Sequence, residues 1–161
     1  MQRELPPWPK RMFEVVVQTA SEVLPGRGSV ATFHPTEAEP FWELALTPAN
    51  DAAAPLHFFV SESDQGIDNF EAGSRAASFE LWEEPEPRLE RLRQIVRAVV
   101  ERGCAEQIAF VGDEPFKVEL ILALPVDGET TYSRSWRPLH PRRSEAFRSL
   151  ERIETRTYAP Y

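Results

Sequence analysis

A chain of 161 residues, 42% of them hydrophobic, is long enough to bury the core of one domain without disulfide bonds. The single cysteine, Cys104, excludes an intramolecular disulfide and a cysteine-based zinc site, so we expect a reducing, cytoplasmic location. The net charge of −8 disfavours nucleic-acid binding because phosphates repel an acidic protein, and no apolar run reaches membrane-spanning length.

Two segments have the periodicity of an amphipathic helix. The first, KRMFEVVVQTASEVL (10–24), places apolar residues at three- and four-residue steps until Pro25 and Gly26 end the pattern. The second, EPEPRLERLRQIVRAVVERG (84–103), opens with acidic residues and proline and ends at Gly103. These segments predict the two main helices of the domain.

Alternation of apolar and polar residues predicts strands in the rest of the chain. The predicted strands are 29–34, 41–47, 56–62, 66–72, 77–83, 107–112, 116–124 and, with a weaker pattern, 131–138. This order favours a single α+β domain over 1–161, with an antiparallel sheet of about six to seven strands and two main helices packed on one face. We expect 138–161 to be a loosely packed C-terminal segment that includes a short helix over 144–153.

Carboxylates interleaved with aromatic residues form the most suggestive pattern in the chain. Acidic clusters steer the association of basic partners, and neighbouring aromatic side chains provide contact area that is desolvated on binding. The pattern therefore predicts an interface for a basic protein partner, formed by Trp42, Glu43, Asp68, Phe70, Glu71, Glu80 and Trp82.

The segment DNFEAGSRAASFELWEEPEPRLERLRQIVRAVVERGCAEQIAFVG (68–112) resembles small bacterial proteins of the immunity type. In those proteins strands precede a helix that opens with acidic residues, has the form L-x-x-L-x-x-x-V-x-A-V-V and stops at R-G before another strand. The resemblance implies a cytoplasmic, non-enzymatic protein that neutralises a toxin enzyme through an acidic face.

The common catalytic motifs are missing from the sequence. No G-x-S-x-G motif surrounds a serine, GRGSVA (26–31) has its helix and strand in the wrong order for a dinucleotide site, and the acids of 61–73 do not complete an EF-hand. A non-catalytic protein without a cofactor or metal is therefore our first interpretation. The alternative is a small hydrolase or transferase with His57 as base and Asp64 or Asp68 as its orienter or as a metal ligand.

A third interpretation is a small-molecule-binding domain. In that case Trp42, Phe58, Phe79 and Trp136 would line an apolar cavity, and Arg134 or Arg137 would bind an anionic group. The same aromatic residues could instead form the core.

Overall fold

The structure is a computed structural model that describes residues 5–37, 41–61, 67, 69–136 and 151–161. In these residues the fold is α+β, with two helices and nine strands in antiparallel sheets, so the predicted fold class is confirmed. The strands form two sheets of five and four strands rather than one sheet of six to seven.

Each helix buries the apolar face that its sequence predicts. Helix α1 spans Pro7–Val23 and begins with proline at its first position, where the missing N–H costs no hydrogen bond. Helix α2 spans Pro85–Arg97 and continues as a π-helical turn over Ala98–Arg102. The two helices pack against each other and contribute to one hydrophobic core.

The first sheet is an antiparallel meander in the order β1-β2-β3-β4-β5. Its strands are β1 (Gly28–Phe33), β2 (Phe41–Pro48), β3 (Leu56–Ser61), β4 (Asn69–Ala72) and β5 (Phe79–Glu80). One face packs on the core through fully buried residues such as Leu44, Phe58 and Phe70. We call the opposite face of this sheet the outer face.

The second sheet has the order β8-β7-β6-β9. Its strands are β6 (Cys104–Val111), β7 (Glu114–Leu124), β8 (Gly128–Ser135) and β9 (Glu151–Tyr158). Along β7, alternate residues from Val118 to Leu124 are buried in the core that the first sheet and the helices share.

The edges of the two sheets meet where β5 lies beside β8. The ring of Tyr132 in β8 packs 4.9 Å from that of Phe70 and 6.4 Å from that of Phe79. Nη1 of Arg134 lies 2.9 Å from Oε1 of Glu80. We call this junction the seam.

The last eleven residues are well anchored, contrary to the expectation for that part of 138–161. They form β9, which pairs with β6 along its whole length, so 151–153 is strand and not helix. Beyond β9, the N–H of Ala159 donates to the carbonyl of Ala52, and that of Tyr161 donates to the carbonyl of Val100. The rest of the predicted segment, 138–150, lies outside the described residues.

Among the helices of the described ranges, neither has the length and apolar content that crossing a membrane requires.

Candidate functional site

Outward-pointing side chains of β2, β3, β4 and β5 form the centre of the outer face. Strand register places Glu43 opposite Phe59 and, one step further, His57 opposite Glu71. Because residues directly opposite in antiparallel strands share a face, these positions form neighbouring rows. The outer face includes Phe33, Phe41, Glu43, His57, Phe59, Asn69, Glu71 and Glu80.

Each described carboxylate on this face has a basic partner. Oε1 of Glu43 lies 2.5 Å from Nδ1 of His57, and these side chains are only 16% and 12% exposed. Oε2 of Glu71 lies 2.8 Å from Nε of Arg75. Glu80 pairs with Arg134 across the seam. The outer face is therefore acidic but largely ion-paired, with three carboxylates against two guanidinium groups and one imidazole.

Aromatic rings lie between these ion pairs. The rings of Phe41 and Phe59 meet edge to face at 5.5 Å, and the imidazole of His57 lies parallel to the Phe59 ring at 6.3 Å. The guanidinium of Arg75 lies 6.0 Å from the centre of the same ring. Phe33 of β1, which lies opposite Glu43 of β2, is 52% exposed. The face thus combines charged groups with accessible apolar area, as protein interfaces do.

Two concave regions border the outer face at the seam. A cleft of about 450 Å³ is lined by Asn69, Glu71, Arg75, Ala76, Ala77, Ser78, Glu80, Arg134 and Trp136. A second groove, of about 430 Å³, shares Glu80 and Arg134 with the cleft and is lined also by Phe79, Trp82, Thr131, Tyr132, Ser133 and Ser135. The indole of Trp82 is 84% exposed at the rim of this groove.

The structure sorts the predicted interface residues into two groups. Glu43, Glu71 and Glu80 lie on the outer face and Trp82 lies at its rim. Trp42 and Phe70, by contrast, are core residues. Their assignment to an exposed surface was wrong because successive residues of a strand point to opposite faces, so each is buried where its neighbour Glu43 or Glu71 is not. Asp68 lies outside the described residues.

The histidine alternative also changes in its details. Asp64 and Asp68 lie outside the described residues, and the partner of His57 is Glu43, fourteen residues earlier in the chain. Sequence reasoning missed this pair because only the β2–β3 register brings the two residues together. In the described part of the chain, no group of three or more His, Cys, Asp or Glu residues could hold a metal ion.

The aromatic residues of the third interpretation do not enclose a cavity together. Trp42, Phe58 and Phe79 are packed in the core, whereas Trp136 lies at the surface beside the cleft. Arg134 pairs with Glu80. Arg137 lies outside the described residues.

A fully buried carboxylate, Glu106, was not singled out from the sequence. Its oxygens accept hydrogen bonds from the hydroxyl of Ser74 at 2.8 Å, the N–H of Ser74 at 3.3 Å and the hydroxyl of Tyr158 at 3.1 Å. Only long-range contacts between the β4–β5 turn and the second sheet create this arrangement. Since three donors satisfy the carboxylate, we interpret it as a structural link between the sheets.

Cys104 is buried near Glu106. Burial raises the pKa of its thiol to about 12, with a smaller contribution from the negative charge of Glu106. A thiol with this pKa remains protonated near neutral pH and is a poor nucleophile, in agreement with a packing role.

A charged cluster lies near Tyr132, one of the residues that line the groove. Nε of Arg91 donates to Oε1 of Glu83 at 2.6 Å, and Nη1 lies 3.0 Å from Oδ2 of Asp127. Burial raises the pKa of the neighbouring Tyr132 to about 12, although Arg91 acts to lower it. The cluster joins α2 and the residue Glu83 before it to the β7–β8 turn.

Comparison of the chain with protein-family models, with curated proteins and with solved structures found no match. The site therefore has to be interpreted from its own chemistry.

Proposed function

We propose that this chain is a non-catalytic binding protein that engages a basic protein partner through the outer face and the seam. The observation that supports this most directly is the placement of Glu43, Glu71 and Glu80 on one sheet face together with accessible aromatic rings. Trp82 extends the aromatic area at the rim. Such a surface offers a partner both ionic contacts and anchor area.

The ion pairs of the outer face are compatible with this function. Surface ion pairs contribute little net stability, about 0–1 kcal/mol, because water solvates both partners well. Lysine or arginine side chains of a partner could therefore replace Arg75 or Arg134 beside Glu71 or Glu80 at small cost. The net charge of −8 would steer a basic protein toward the chain over longer distances.

The resemblance of 68–112 to immunity-type proteins suggests what kind of partner this is. A toxin nuclease binds phosphates with lysines and arginines, and the carboxylates of the outer face would compete for those side chains. We therefore propose an immunity-like, cytoplasmic role in which the chain covers the substrate-binding surface of a toxin enzyme.

The test begins with capture of the partner by a tagged copy of the chain in its own host. Calorimetry then compares the wild type with the double variant Glu71→Lys/Glu80→Lys. The matched control is Glu90→Lys/Glu101→Lys, which has the same total charge change beside Arg93 and Arg97 on the helical side. We expect the double variant to bind at least about ten-fold more weakly and the control to bind like the wild type. Equal affinity of all three proteins, or failure to recover any basic partner, would count against the proposal.

The His57–Glu43 pair favours one second candidate, a small hydrolase. In this candidate the carboxylate of Glu43 orients the imidazole through Nδ1, and Nε2 acts as the general base. The test is a panel of p-nitrophenyl esters and phosphates assayed with the wild type and with His57→Asn. Turnover that this variant abolishes would support the hydrolase, and the same background rate in both proteins would exclude it for these substrate classes.

A further inference from the structure

The edge strand β1 differs from the other strands that end the two sheets. An edge strand exposes unpaired N–H and C=O groups, and proteins usually protect it by short length, by charged side chains or by covering it. Among the described strands, β5 has two residues, β8 lies against β5, and β9 carries Arg152, Glu154 and Arg156. These three edges are therefore protected in one of the usual ways.

In the part of the chain that the structure describes, strand β1 has none of these protections. It has six residues, GSVATF, with no charge and no proline, and each residue from Ser29 to Phe33 is exposed. The next three residues, His34, Pro35 and Thr36, add no carboxylate, lysine or arginine. Within the described ranges, β1 pairs with β2 on one side and with no strand on the other.

Hydrogen bonding at the start of β1 shows which backbone groups point away from β2. The N–H of Ala49 donates to the carbonyl of Arg27, and the register places these two residues opposite each other. Because bonded positions alternate along an antiparallel pair, Ser29, Ala31 and Phe33 also bond toward β2. Val30 and Thr32 therefore direct their N–H and C=O groups outward. The outward N–H of Gly28 already donates a hydrogen bond to the carbonyl of Leu24, at 3.3 Å.

We infer that β1 is a self-association edge, at which a second copy of this chain adds its own β1 in antiparallel orientation. A two-fold axis at Ala31 pairs Val30 of each copy with Thr32 of the other through their outward groups. The same register sets Phe33 opposite the small Ser29, so bulky and small side chains alternate across the axis.

Charge selects a second copy as the occupant. Two chains with a net charge of −8 each repel one another, and a symmetric contact forms most easily where neither surface is charged. Strand β1, from Gly28 to Phe33, is such a surface. A basic partner, by contrast, gains no ionic contact with β1. In the dimer, the outer faces of the two copies continue into one another through Phe33 and Glu43.

The test compares Thr32→Pro with Thr32→Ala by sedimentation equilibrium over a range of protein concentrations. Proline at this position removes an outward N–H that the β2 ladder does not use, and edge strands tolerate it. Because the two-fold axis places the substitution in both copies, it removes two intermolecular hydrogen bonds. We therefore expect Thr32→Pro to self-associate at least about ten-fold more weakly than Thr32→Ala. Circular dichroism and melting temperature verify that both variants remain folded.

Thr32→Lys provides a second disruption that does not depend on proline. Amide exchange of the wild type adds a position-specific readout, in which Val30 and Thr32 slow as protein concentration rises while Ala31 and Phe33 do not. A wild type that is monomeric at every concentration overturns the inference. Equal self-association of Thr32→Pro and Thr32→Ala also overturns it. The inference fails too if amide exchange of Val30 and Thr32 slows only when a different protein is added.

Discussion

Oε1 of Glu43 lies 2.5 Å from Nδ1 of His57, across the β2–β3 pairing on the outer face. An ionised carboxylate can only accept hydrogen bonds, so the imidazole donates through Nδ1–H. Both side chains are largely shielded from water, and the pair holds the middle of the face in one arrangement. The pair therefore restrains the outer face, independently of any catalytic role.

We predict that Glu43 and His57 are energetically coupled. Glu43→Ala should lower the free energy of unfolding by about 1–3 kcal/mol, because the imidazole loses a charged hydrogen-bond partner in a shielded position. Urea unfolding of Glu43→Ala, His57→Ala and the double variant measures the coupling. A coupling energy of about 1 kcal/mol is expected, and additive effects of the two single variants would show that the contact contributes nothing.

Trp82 should act on binding and leave stability unchanged. Its indole is 84% exposed beside the groove, so Trp82→Ala removes few contacts within the fold. We expect the melting temperature to stay the same and the affinity for the captured partner to fall at least about ten-fold. Ile153→Ala is the control, because Ile153 is 62% exposed on β9, at the opposite edge of the second sheet from the seam. An equal, small effect of both variants would remove Trp82 from the interface.

Two glycines with nearly the same positive φ allow a test of the C-terminal packing. Gly26 has φ +74° and nothing near the position of a Cβ atom, whereas a Cβ on Gly103, at φ +77°, would lie 2.1 Å from the carbonyl oxygen of Tyr158. Gly26→Ala should cost about 1–2 kcal/mol from backbone strain alone. Gly103→Ala should cost about 1–3 kcal/mol more, because the end of β9 must move. Chemical unfolding of both variants measures the loss of stability in each. Equal losses would mean that the end of β9 moves away from residue 103 without a cost in free energy.

Alkaline pH should destabilise the protein through Cys104 and Tyr132. Burial raises their pKa values from the ordinary 9.0 and 10.0 to about 12 in each case. Between about pH 9 and 12 the native state retains protons that the unfolded chain releases, so the free energy of unfolding falls as pH rises.

Tyr132→Phe isolates one of these two groups. In the described part of the chain the buried hydroxyl makes no hydrogen bond of standard geometry, although the Arg91 guanidinium is close enough to act on its pKa, so the variant should be within about 1 kcal/mol of the wild type at pH 7. Above pH 10 it should lose stability less steeply than the wild type. Urea titrations at several pH values measure both effects, and identical pH profiles would contradict the assignment.

Local patterns predicted the elements of the fold, but long-range pairing decided their arrangement. Both helices lie where the spacing of residues such as Met12 and Leu92 places them, because one buried face imposes a period that a sequence displays. The division into two sheets depends on which edges pair, and the two-residue β5 ends the first sheet without joining β8. Nothing within the sequence of β5 or β8 alone encodes that break.

Part of the candidate site was also predictable from the sequence. The carboxylates at 43, 71 and 80 lie on one face because they alternate with buried residues in their strands. The same alternation was sufficient to place Trp42 and Phe70 in the core, and grouping them with their acidic neighbours ignored it. The basic partners His57 and Arg134 could not be assigned, since strand register and sheet packing bring them together with the acids. Arg75, by contrast, is only four residues from Glu71 in the sequence.

The association rate of the captured partner, measured by stopped flow at low and high salt, tests the proposed function most directly. If the outer face binds a basic protein, Glu71→Lys/Glu80→Lys should slow association strongly at low salt, and the difference from Glu90→Lys/Glu101→Lys should shrink as salt screens the charges. Association rates of the double variant that match those of the control at every salt concentration would contradict binding through this face.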